Sequence, residues 1–488
     1  MNEVYKPLPM VKRRKTIIER DTSRVICRPH IPGDISRISK IIERVLQLSE
    51  ETTQYMVNNI RENFYDRHKD IEQQLTKHFN DISEFIPTHT SLSREQKMLI
   101  GAYFTMEYSV ESAALFNPSI VKHPDQSGLN EGELRFIMSL RATGEGHISS
   151  IVFRSGIIQA DGHFVFDKIS DFVETPSIEK KPHYESDLFR LQLESMNSWD
   201  ETSIRIFEQL PELFTYHELH LCMNVLNLSS SFECNNQTMS NINWLANSNY
   251  SINFDTKSKV SERVIFPITE NESHGIEDAR FVQFYDDNGD STYYATYTAF
   301  NGKCILPQLL ETKDFIHFNI ITLRGQAVQN KGMALFPRKI NGQYVMLSRL
   351  DGENNYIMYS DHLHFWEYTE LLQEPEKPWE FVQIGNCGSP LETSEGWLVL
   401  THGVGPMRQY CIGAILLDLE NPSKIIARLN EPLLVPNQKE REGYVPNVVY
   451  TCGSIIHNHN LIIPYAMSDI TSGIANIDIQ SLLQKMKS

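Results

Sequence analysis

Five segments of the sequence repeat one pattern, in which a short apolar strand ends in polar or charged residues. They span 134–141, 292–298, 344–349, 396–402 and 461–465, and the last four begin 52, 52 and 65 residues apart. This spacing suits a four-stranded blade of a β-propeller, a fold in which each repeat buries its apolar face against its neighbours. The repeat therefore predicts a mainly β fold, a five-bladed β-propeller, whose inner strands direct polar side chains into one central pocket. A sandwich of unrelated strands is the alternative.

The N-terminal part of the chain has helical periodicity instead. Between Asp34 and Met106 apolar residues recur at three- and four-residue steps, as in Ile38, Ile41 and Val45, and Asp34 is placed to cap the first helix. One interpretation is a helical hairpin packed on the main domain. The other is a self-association surface, because this much apolar helix surface exceeds what one flank of a propeller covers, and it predicts a homo-oligomer.

A second helical stretch, about 184–228, interrupts the strand pattern. We therefore predict two parts, a helical N-terminal region over 1–115 and a propeller catalytic domain over 116–488. The second helical stretch is expected as an insertion in the region of the first blade.

Charge and cysteine usage exclude several classes of function. The formal net charge of -17 repels nucleic acid and anionic lipid, apart from a short basic run at residues 12–15, so neither partner is expected. No run approaches the ~20 apolar residues that span a bilayer. The first residues also lack the apolar core of a signal peptide, and a cytoplasmic location is expected. Seven cysteines without a C-x-x-C pair argue for reduced thiols and against a metal site.

Polar residues in or beside apolar strands are the candidates for a functional site. Buried charge is costly unless it is paired or used, so a ring of such residues at strand ends predicts a pocket with chemistry, although single members are more often solvated or structural. The candidates are Asn117, Arg141, Glu277, Asp278, Arg280, Lys331, Arg349, Glu392, His402 and Asp469.

Seven ordered motifs resemble glycoside hydrolase family 130. They lie at 117–120, 275–280, 331–337, 396–404, 413–419, 443–450 and 465–475. The resemblance implies a five-bladed propeller that holds a terminal β-mannosyl unit, with Tyr465 among the substrate-binding residues, and an inverting reaction. It also implies that Asp278 is the general acid, acting through the 3-hydroxyl of the sugar, with Ala279 in place of the usual proline.

The family contains phosphorylases and hydrolases, and an inverting hydrolase needs a carboxylate base that a phosphorylase lacks. Here Lys331 stands where phosphorylases of the family tend to have arginine, and Glu392 where they tend to have lysine, whereas Arg349 matches a basic position. These residues favour a hydrolase in which Glu392 activates water. A second carboxylate, Glu440 or Glu442 with Glu440 preferred as a catalytic residue, is expected to support the base or bind sugar hydroxyls. A solvated loop is the alternative for Glu440.

The predicted function is therefore exo-acting hydrolysis of β-mannosides, with β-1,2-linked manno-oligosaccharides as the expected partners. No cofactor is expected, and inorganic phosphate enters as co-substrate only if the protein is a phosphorylase. That phosphorylase, which would release α-mannose 1-phosphate, is the first alternative. A non-catalytic carbohydrate-binding propeller is the second, since a fold alone does not establish an activity.

Overall fold

The structure is a computed structural model that describes residues 8, 10–88, 90–180, 183–228, 232, 234–300 and 305–488. Within these ranges the chain is mainly β, as predicted, with nine α-helices. The helices are α1 Ile35–Leu46, α2 Glu50–Phe64, α3 Ile71–Asp81, α4 Arg94–Tyr103, α5 Ser186–Ser195, α6 Glu201–Phe207, α7 Tyr216–Asn227, α8 Asn236–Asn247 and α9 Ile479–Lys487. No described helix is both long and apolar enough to cross a bilayer.

The strands of the described residues are short, and their bounds are as follows. They are β1 Lys12–Ile18, β2 Val25–Pro29, β3 Thr105–Ser109, β4 Ala114–Lys122, β5 Leu134–Thr143, β6 Ser149–Ile158, β7 Phe164–Phe166, β8 Ser177–Lys180, β9 Tyr184–Glu185, β10 Leu213–Phe214, β11 Tyr250–Asn253, β12 Val264–Ile265, β13 Ile276–Tyr285, β14 Ser291–Phe300, β15 Ile305–Thr312, β16 His317–Thr322, β17 Ala334–Leu335, β18 Tyr344–Ser348, β19 Asn355–Ser360, β20 Tyr368–Gln373, β21 Gln383–Asn386, β22 Leu391–Thr393, β23 Gly396–Val404, β24 Tyr410–Leu417, β25 Ile425–Arg428, β26 Val449–Tyr450, β27 Ile455–His457, β28 Asn460–Met467 and β29 Thr471–Asp478.

Most of these strands belong to five antiparallel sheets. The first sheet has the order β12-β6-β5-β4 with β7 beside β6, and the second has the order β13-β14-β15-β16-β11-β8. The third is β17-β18-β19-β20, and the fourth is β21-β23-β24-β25 with β22 beside β23. The fifth is β1-β29-β28-β26 with β27 beside β28, so the N-terminal strand β1 pairs with the C-terminal strand β29. Strand β1 thus completes the sheet formed by the last strands of the chain.

Each sheet packs against the next one along the chain. The contacts are β4 with β13, β14 with β17, β18 with β21 and β24 with β26, and β28 of the fifth sheet returns to β4 of the first. Apolar side chains fill these contacts. Between the third and fourth sheets, for example, Val345, Trp397 and Ile415 are fully buried in one cluster. Burial of this kind is the main favourable contribution to folding.

The N-terminal helices form a core of their own. Asp34 caps α1 by accepting a hydrogen bond from the backbone N–H of Ser36, as the sequence predicts. Ile38, Ile42 and Val45 of α1 are buried against residues of α2 and α4. The apolar stripe on which the homo-oligomer prediction rested is therefore covered within this region. Self-association stays a prediction without that support.

The second group of helices differs from its prediction in extent and position. Helices α5 to α8 continue to Asn247, beyond the expected end at residue 228. The strands that flank them, β8 and β11, pair with each other and belong to the second sheet, so the insertion does not lie in the first. Helical periodicity identifies the helices, but it carries no information on which sheet the neighbouring strands join. The domain division at residue 115 stays a prediction.

Candidate active site

Strands of all five large sheets, or the loops that adjoin them, line one cavity of about 270 Å³. Nine of the predicted site residues are in its wall. They are Asn117, Arg141, Glu277, Asp278, Arg280, Lys331, Arg349, His402 and Asp469. The prediction that polar residues from separate repeats meet in one pocket is confirmed for these nine positions.

Asn117 and Asp278 enter the cavity at irregularities of their strands. The pairing of β4 with β5 shifts register between Phe116 and Ser119, and that of β13 with β14 shifts between Glu277 and Arg280. Asn117 and Asp278 have positive φ angles of 49° and 56°, a conformation that Asn and Asp tolerate better than other side chains. Bulges of this kind redirect side chains and are common beside active sites.

The carboxylate of Asp278 is held by two donors. Asn117 Nδ2 donates to Asp278 Oδ1 at 2.6 Å, and Arg141 Nη1 donates to the same oxygen at 3.3 Å. Burial alone would raise the pKa of Asp278, but the charge of Arg141 and the hydrogen bond from Asn117 hold that pKa below its usual value. Without a ligand, Asp278 is therefore ionised at neutral pH.

Glu277 forms the centre of a second set of ion pairs. Its Oε1 accepts from Arg141 Nη2 at 2.8 Å, and its Oε2 accepts from Lys331 Nζ at 2.7 Å. Both carboxylate oxygens thus face a cation. Since charge-assisted hydrogen bonds are the strong ones, this network fixes the positions of Arg141 and Lys331 on the cavity wall.

His402 and Arg349 form the opposite polar wall. Arg349 Nη1 lies 3.1 Å from His402 Nε2, and because arginine can only donate, Nε2 is the acceptor and the ring proton is on Nδ1, near the backbone oxygen of Asn386. Burial and the charge of Arg349 lower the pKa of His402 well below its usual value. Gly385 pairs with His402 across the strands, and a Cβ at Gly385 would lie 2.6 Å from the imidazole, so glycine makes room for it.

The pKa of Asp469 is displaced in the opposite direction to that of Asp278. Burial and the nearby carboxylate of Asp278 raise the pKa of Asp469 to about 7. It follows Ser468, and both residues have positive φ angles, 47° and 53°. Two neighbouring carboxyl groups whose pKa values are displaced in opposite directions are typical of acid and base chemistry.

The cavity as a whole has more cations than ionised acids. Four cationic side chains, Arg141, Arg280, Lys331 and Arg349, face the three carboxyl groups of Glu277, Asp278 and Asp469. In the described part of the chain, Arg280 and Arg349 form no ion pair, whereas Arg141 and Lys331 do. Four buried atoms here also lack a hydrogen-bond partner among the described residues, namely Asn117 Oδ1 and the Nε atoms of Arg141, Arg280 and Arg349. The wall is suited to an anionic, hydrogen-bonding ligand.

Glu392, predicted as the catalytic base, lies outside this cavity. Its carboxylate forms an exposed bidentate ion pair with Arg338, at 2.9 and 3.0 Å. It lines a second, mostly apolar cavity of about 420 Å³, together with 120–122 of β4 and 281–283 of β13. These residues lie further along the strands that carry Asn117 and Asp278, so Glu392 is displaced along the strand direction. The assignment of Glu392 as base is wrong for this geometry.

Glu440 and Tyr465 also lie outside the cavity wall. Glu440 is buried, with 4% exposure, and accepts hydrogen bonds from Tyr465 Oη at 2.7 Å and from Arg13. Both oxygens are occupied, so neither can take a proton from water in the cavity. Neither residue lines the cavity, so their predicted roles as catalytic and substrate-binding residues are wrong for this geometry.

Six wall residues were not predicted as site residues, namely Thr298, Gly332, Gln383, Tyr410, Val448 and Tyr450. Tyr450 is the most informative of them, because its hydroxyl accepts from Arg280 Nη2 at 2.6 Å and its ring lies 5.2 Å from that of His402. Its place in the motif at 443–450 was the available signal. An uncharged side chain in an apolar strand gives no sign of facing a pocket.

Comparison with known proteins places these residues in a family context. Residues 232–488 match the model of glycoside hydrolase family 130, described as β-1,4-mannooligosaccharide phosphorylase. A 1,2-β-oligomannan phosphorylase from Thermoanaerobacter sp. is 36% identical over 225 residues, which cover 44% of this chain and 72% of that protein. A β-1,2-mannobiose phosphorylase from Listeria innocua is 31% identical over 232 residues, 46% of this chain and 63% of that one. A solved structure of β-1,2-mannobiose phosphorylase from Listeria innocua with β-1,2-mannobiose has a TM-score of 0.45 at 22% identity, covering 78% of this chain and 93% of that chain.

These relatives correct the predicted reaction. The matched proteins named above are phosphorylases, so the prediction of hydrolysis is wrong. The reason lies in Glu392, whose acidic side chain was the main argument for water activation and which the structure places outside the cavity.

Proposed function

This chain belongs to glycoside hydrolase family 130, and on that premise we propose that it is a β-mannoside phosphorylase. Its substrates are β-1,2-linked manno-oligosaccharides, and its products are α-mannose 1-phosphate and a shortened oligosaccharide. The observation that carries the proposal is the cation excess of the cavity, with Arg280 and Arg349 free of carboxylate partners among the described residues. Phosphate supplies the missing negative charge.

The proposed reaction assigns one role to Asp278 and another to Arg349 and His402 on the opposite side of the cavity. Asp278 protonates the leaving oxygen through the 3-hydroxyl of the mannosyl unit, and phosphate attacks the anomeric carbon from the opposite face, which inverts the configuration. Phosphate lies beside Arg349, whose guanidinium supplies the charged donors, and the neutral His402 holds that guanidinium by accepting a hydrogen bond at Nε2. Because Asp278 is ionised without ligand, it must gain a proton on substrate binding. The phosphate dianion favours protonation of Asp278 because its negative charge raises the pKa of this carboxyl group.

We also propose that the five large sheets are the five blades of a propeller. Each sheet packs against the next, β28 of the fifth packs against β4 of the first, and all five contribute to the cavity. This arrangement supports a pocket that is open at one end, where only the terminal sugar of a chain is held.

The proposal is tested by incubating the protein with β-1,2-mannobiose in the presence and absence of inorganic phosphate. We expect cleavage only with phosphate, with mannose 1-phosphate and mannose formed in equal amounts. Cleavage at the same rate without phosphate would contradict it. Arg338→Gln is a matched control for substitutions of cavity arginines, since Arg338 is bound to Glu392 outside the cavity.

A further inference from the structure

Glu440 is connected to the cavity through the hairpin that carries Asp469. Strands β28 and β29 pair up to Met467 and Thr471, which leaves a three-residue turn at 468–470. Within it, Ser468 and Asp469 both have positive φ angles, at 47° and 53°. Left-handed backbone conformations are unfavourable for residues other than glycine and persist only where surrounding contacts enforce them.

The contacts that hold Ser468 in this turn come from residues 440–448, while Leu115 of β4 donates to the backbone oxygen of Ile470. Ser468 is fully buried, and its hydroxyl donates to the backbone oxygen of Glu440 at 2.6 Å. The backbone of Ser468 also donates to Val448 and accepts from Val445, at 2.8 and 3.1 Å. The conformation of Ser468 therefore depends on where the backbone of Glu440 is held.

The backbone N–H of Glu440 donates to Asn437, and the Glu440 side chain adds four hydrogen bonds that hold this segment in place. Its Oε1 accepts from Arg13 Nε at 2.8 Å and from Tyr465 Oη at 2.7 Å. Its Oε2 accepts from Arg13 Nη2 at 3.0 Å and from the backbone N–H of Asn437 at 2.9 Å. Arg13 belongs to β1, and it donates in addition to the backbone oxygen of Val435 at 2.6 Å. A bidentate arginine and two further donors fix this carboxylate in one place.

We propose that Glu440 is a positioning residue, which through Arg13 and Ser468 fixes the turn that presents Asp469 to the sugar. The N-terminal strand β1 thereby contributes to the site although none of its residues lines the cavity. This inference rests on the proposed function, with Asp469 binding the terminal mannosyl unit. Its effect is on mannoside recognition, and the phosphate side of the cavity, formed by Arg349 and His402 on other sheets, is left unchanged.

The test compares Glu440→Gln and Ser468→Ala with a matched control, Glu111→Gln. Glu111 is also fully buried and bound by two arginines, Arg24 and Arg154, but it does not line the cavity, and among the described residues its side chain makes no hydrogen bond to the turn. For both test variants we expect kcat/KM for β-1,2-mannobiose to fall roughly 10- to 100-fold, the usual effect of a small misplacement. KM for phosphate should change by less than about twofold. The double variant should be no worse than the poorer single variant, because both act through one contact path.

A purely structural role gives a different result. If Glu440→Gln lowers Tm as Glu111→Gln does but leaves kcat/KM unchanged, or if Ser468→Ala has no kinetic effect, the inference is wrong. Ser468→Ala keeps the buried ion pair and so remains informative if Glu440→Gln does not fold.

Calorimetric binding of β-1,2-mannobiose without phosphate separates this inference from the proposed function. If the wild type binds the disaccharide but does not phosphorolyse it, the proposed function fails, and weaker binding by both variants still supports the positioning role. Equal binding by wild type and variants overturns the inference. A wild type that binds no mannobiose contradicts both.

Discussion

Asn117 Nδ2 donates to Asp278 Oδ1 across two strand irregularities, so that one carboxylate oxygen is held while no described residue hydrogen-bonds to the other. This leaves Oδ2 for the proton that the reaction requires. Asp278→Asn keeps the size of the side chain and removes that proton, and we expect turnover to fall at least ~100-fold, the scale of general acid catalysis.

Binding of mannobiose to Asp278→Asn should survive within about tenfold, since the remaining wall is intact. Steady-state kinetics and calorimetry measure the two quantities separately. Near-normal turnover by this variant would refute the assignment of Asp278 as the acid.

Arg349→Gln should weaken the binding of phosphate more than the binding of the mannoside. The guanidinium is within hydrogen-bond distance of His402 and has no carboxylate partner among the described residues, so its charge is available to an anion. Hydrogen bonds to charged groups contribute ~1.5–3 kcal/mol, which corresponds to roughly 10- to 150-fold in KM for phosphate. Initial rates at varied phosphate measure this change, with Arg338→Gln as control. An equal rise in KM for both substrates would argue against a phosphate site here.

Glu392→Gln should retain activity. The Glu392 side chain is 44% exposed, and exposed ion pairs such as the one with Arg338 contribute only ~0–1 kcal/mol to stability. We expect kcat/KM within about twofold of the wild type in the phosphate-dependent assay. A large loss of activity would restore a catalytic role for Glu392 and contradict the geometry described above.

Asp469 should make stability depend on pH. Its pKa is raised to about 7, above the value of an unfolded aspartate, so the folded state binds its proton more tightly. The resulting stability is present in full below the unfolded pKa of ~3.9 and is lost as pH rises through about 7. Asp469→Asn should therefore raise Tm by a few degrees at pH 8 relative to the wild type, with no gain at pH 4.

Asp351→Asn provides the control of opposite sign for this pH dependence. Hydrogen bonds from Asn354 and Tyr356 outweigh burial and lower the pKa of Asp351 to about 2. Its contribution to stability is present above the unfolded pKa and is lost as pH falls toward 2, so this variant should lower Tm at neutral pH. Melting curves of both variants across pH 4–8 measure the effect. The same sign for both would contradict the pKa displacements.

The polar residues that line the cavity are predicted from the sequence more accurately than the path that the chain follows around the cavity. Arg141, Arg349 and His402 lie at corresponding places in three repeats, and strand periodicity is sufficient to bring them together. Glu392 is also a polar residue beside apolar ones, but it belongs to none of the repeats, and its strand β22 lines the other cavity. Which end of a strand faces the site depends on the three-dimensional path of the chain. A local pattern does not encode that path.

Other features depend on partners far apart in the chain. Arg13 and Glu440 are separated by 427 positions, and no spacing rule connects the basic N-terminal run with a loop before β26. The sequence marks residues 12–15 only as a basic run, whereas the pairing of β1 with β29 brings Arg13 to Glu440. The cytoplasmic location and the homo-oligomer stay predictions.

The central claim is that phosphate, and not water, attacks the anomeric carbon. The most direct measurement is a reaction of β-1,2-mannobiose with phosphate in water enriched in oxygen-18, followed by phosphorus and proton NMR and mass spectrometry of the products. We predict one α-mannose 1-phosphate for each bond cleaved, with no enzyme-dependent oxygen-18 in the released mannose. Mannose labelled at the anomeric carbon, formed at the same rate with and without phosphate, would contradict the account.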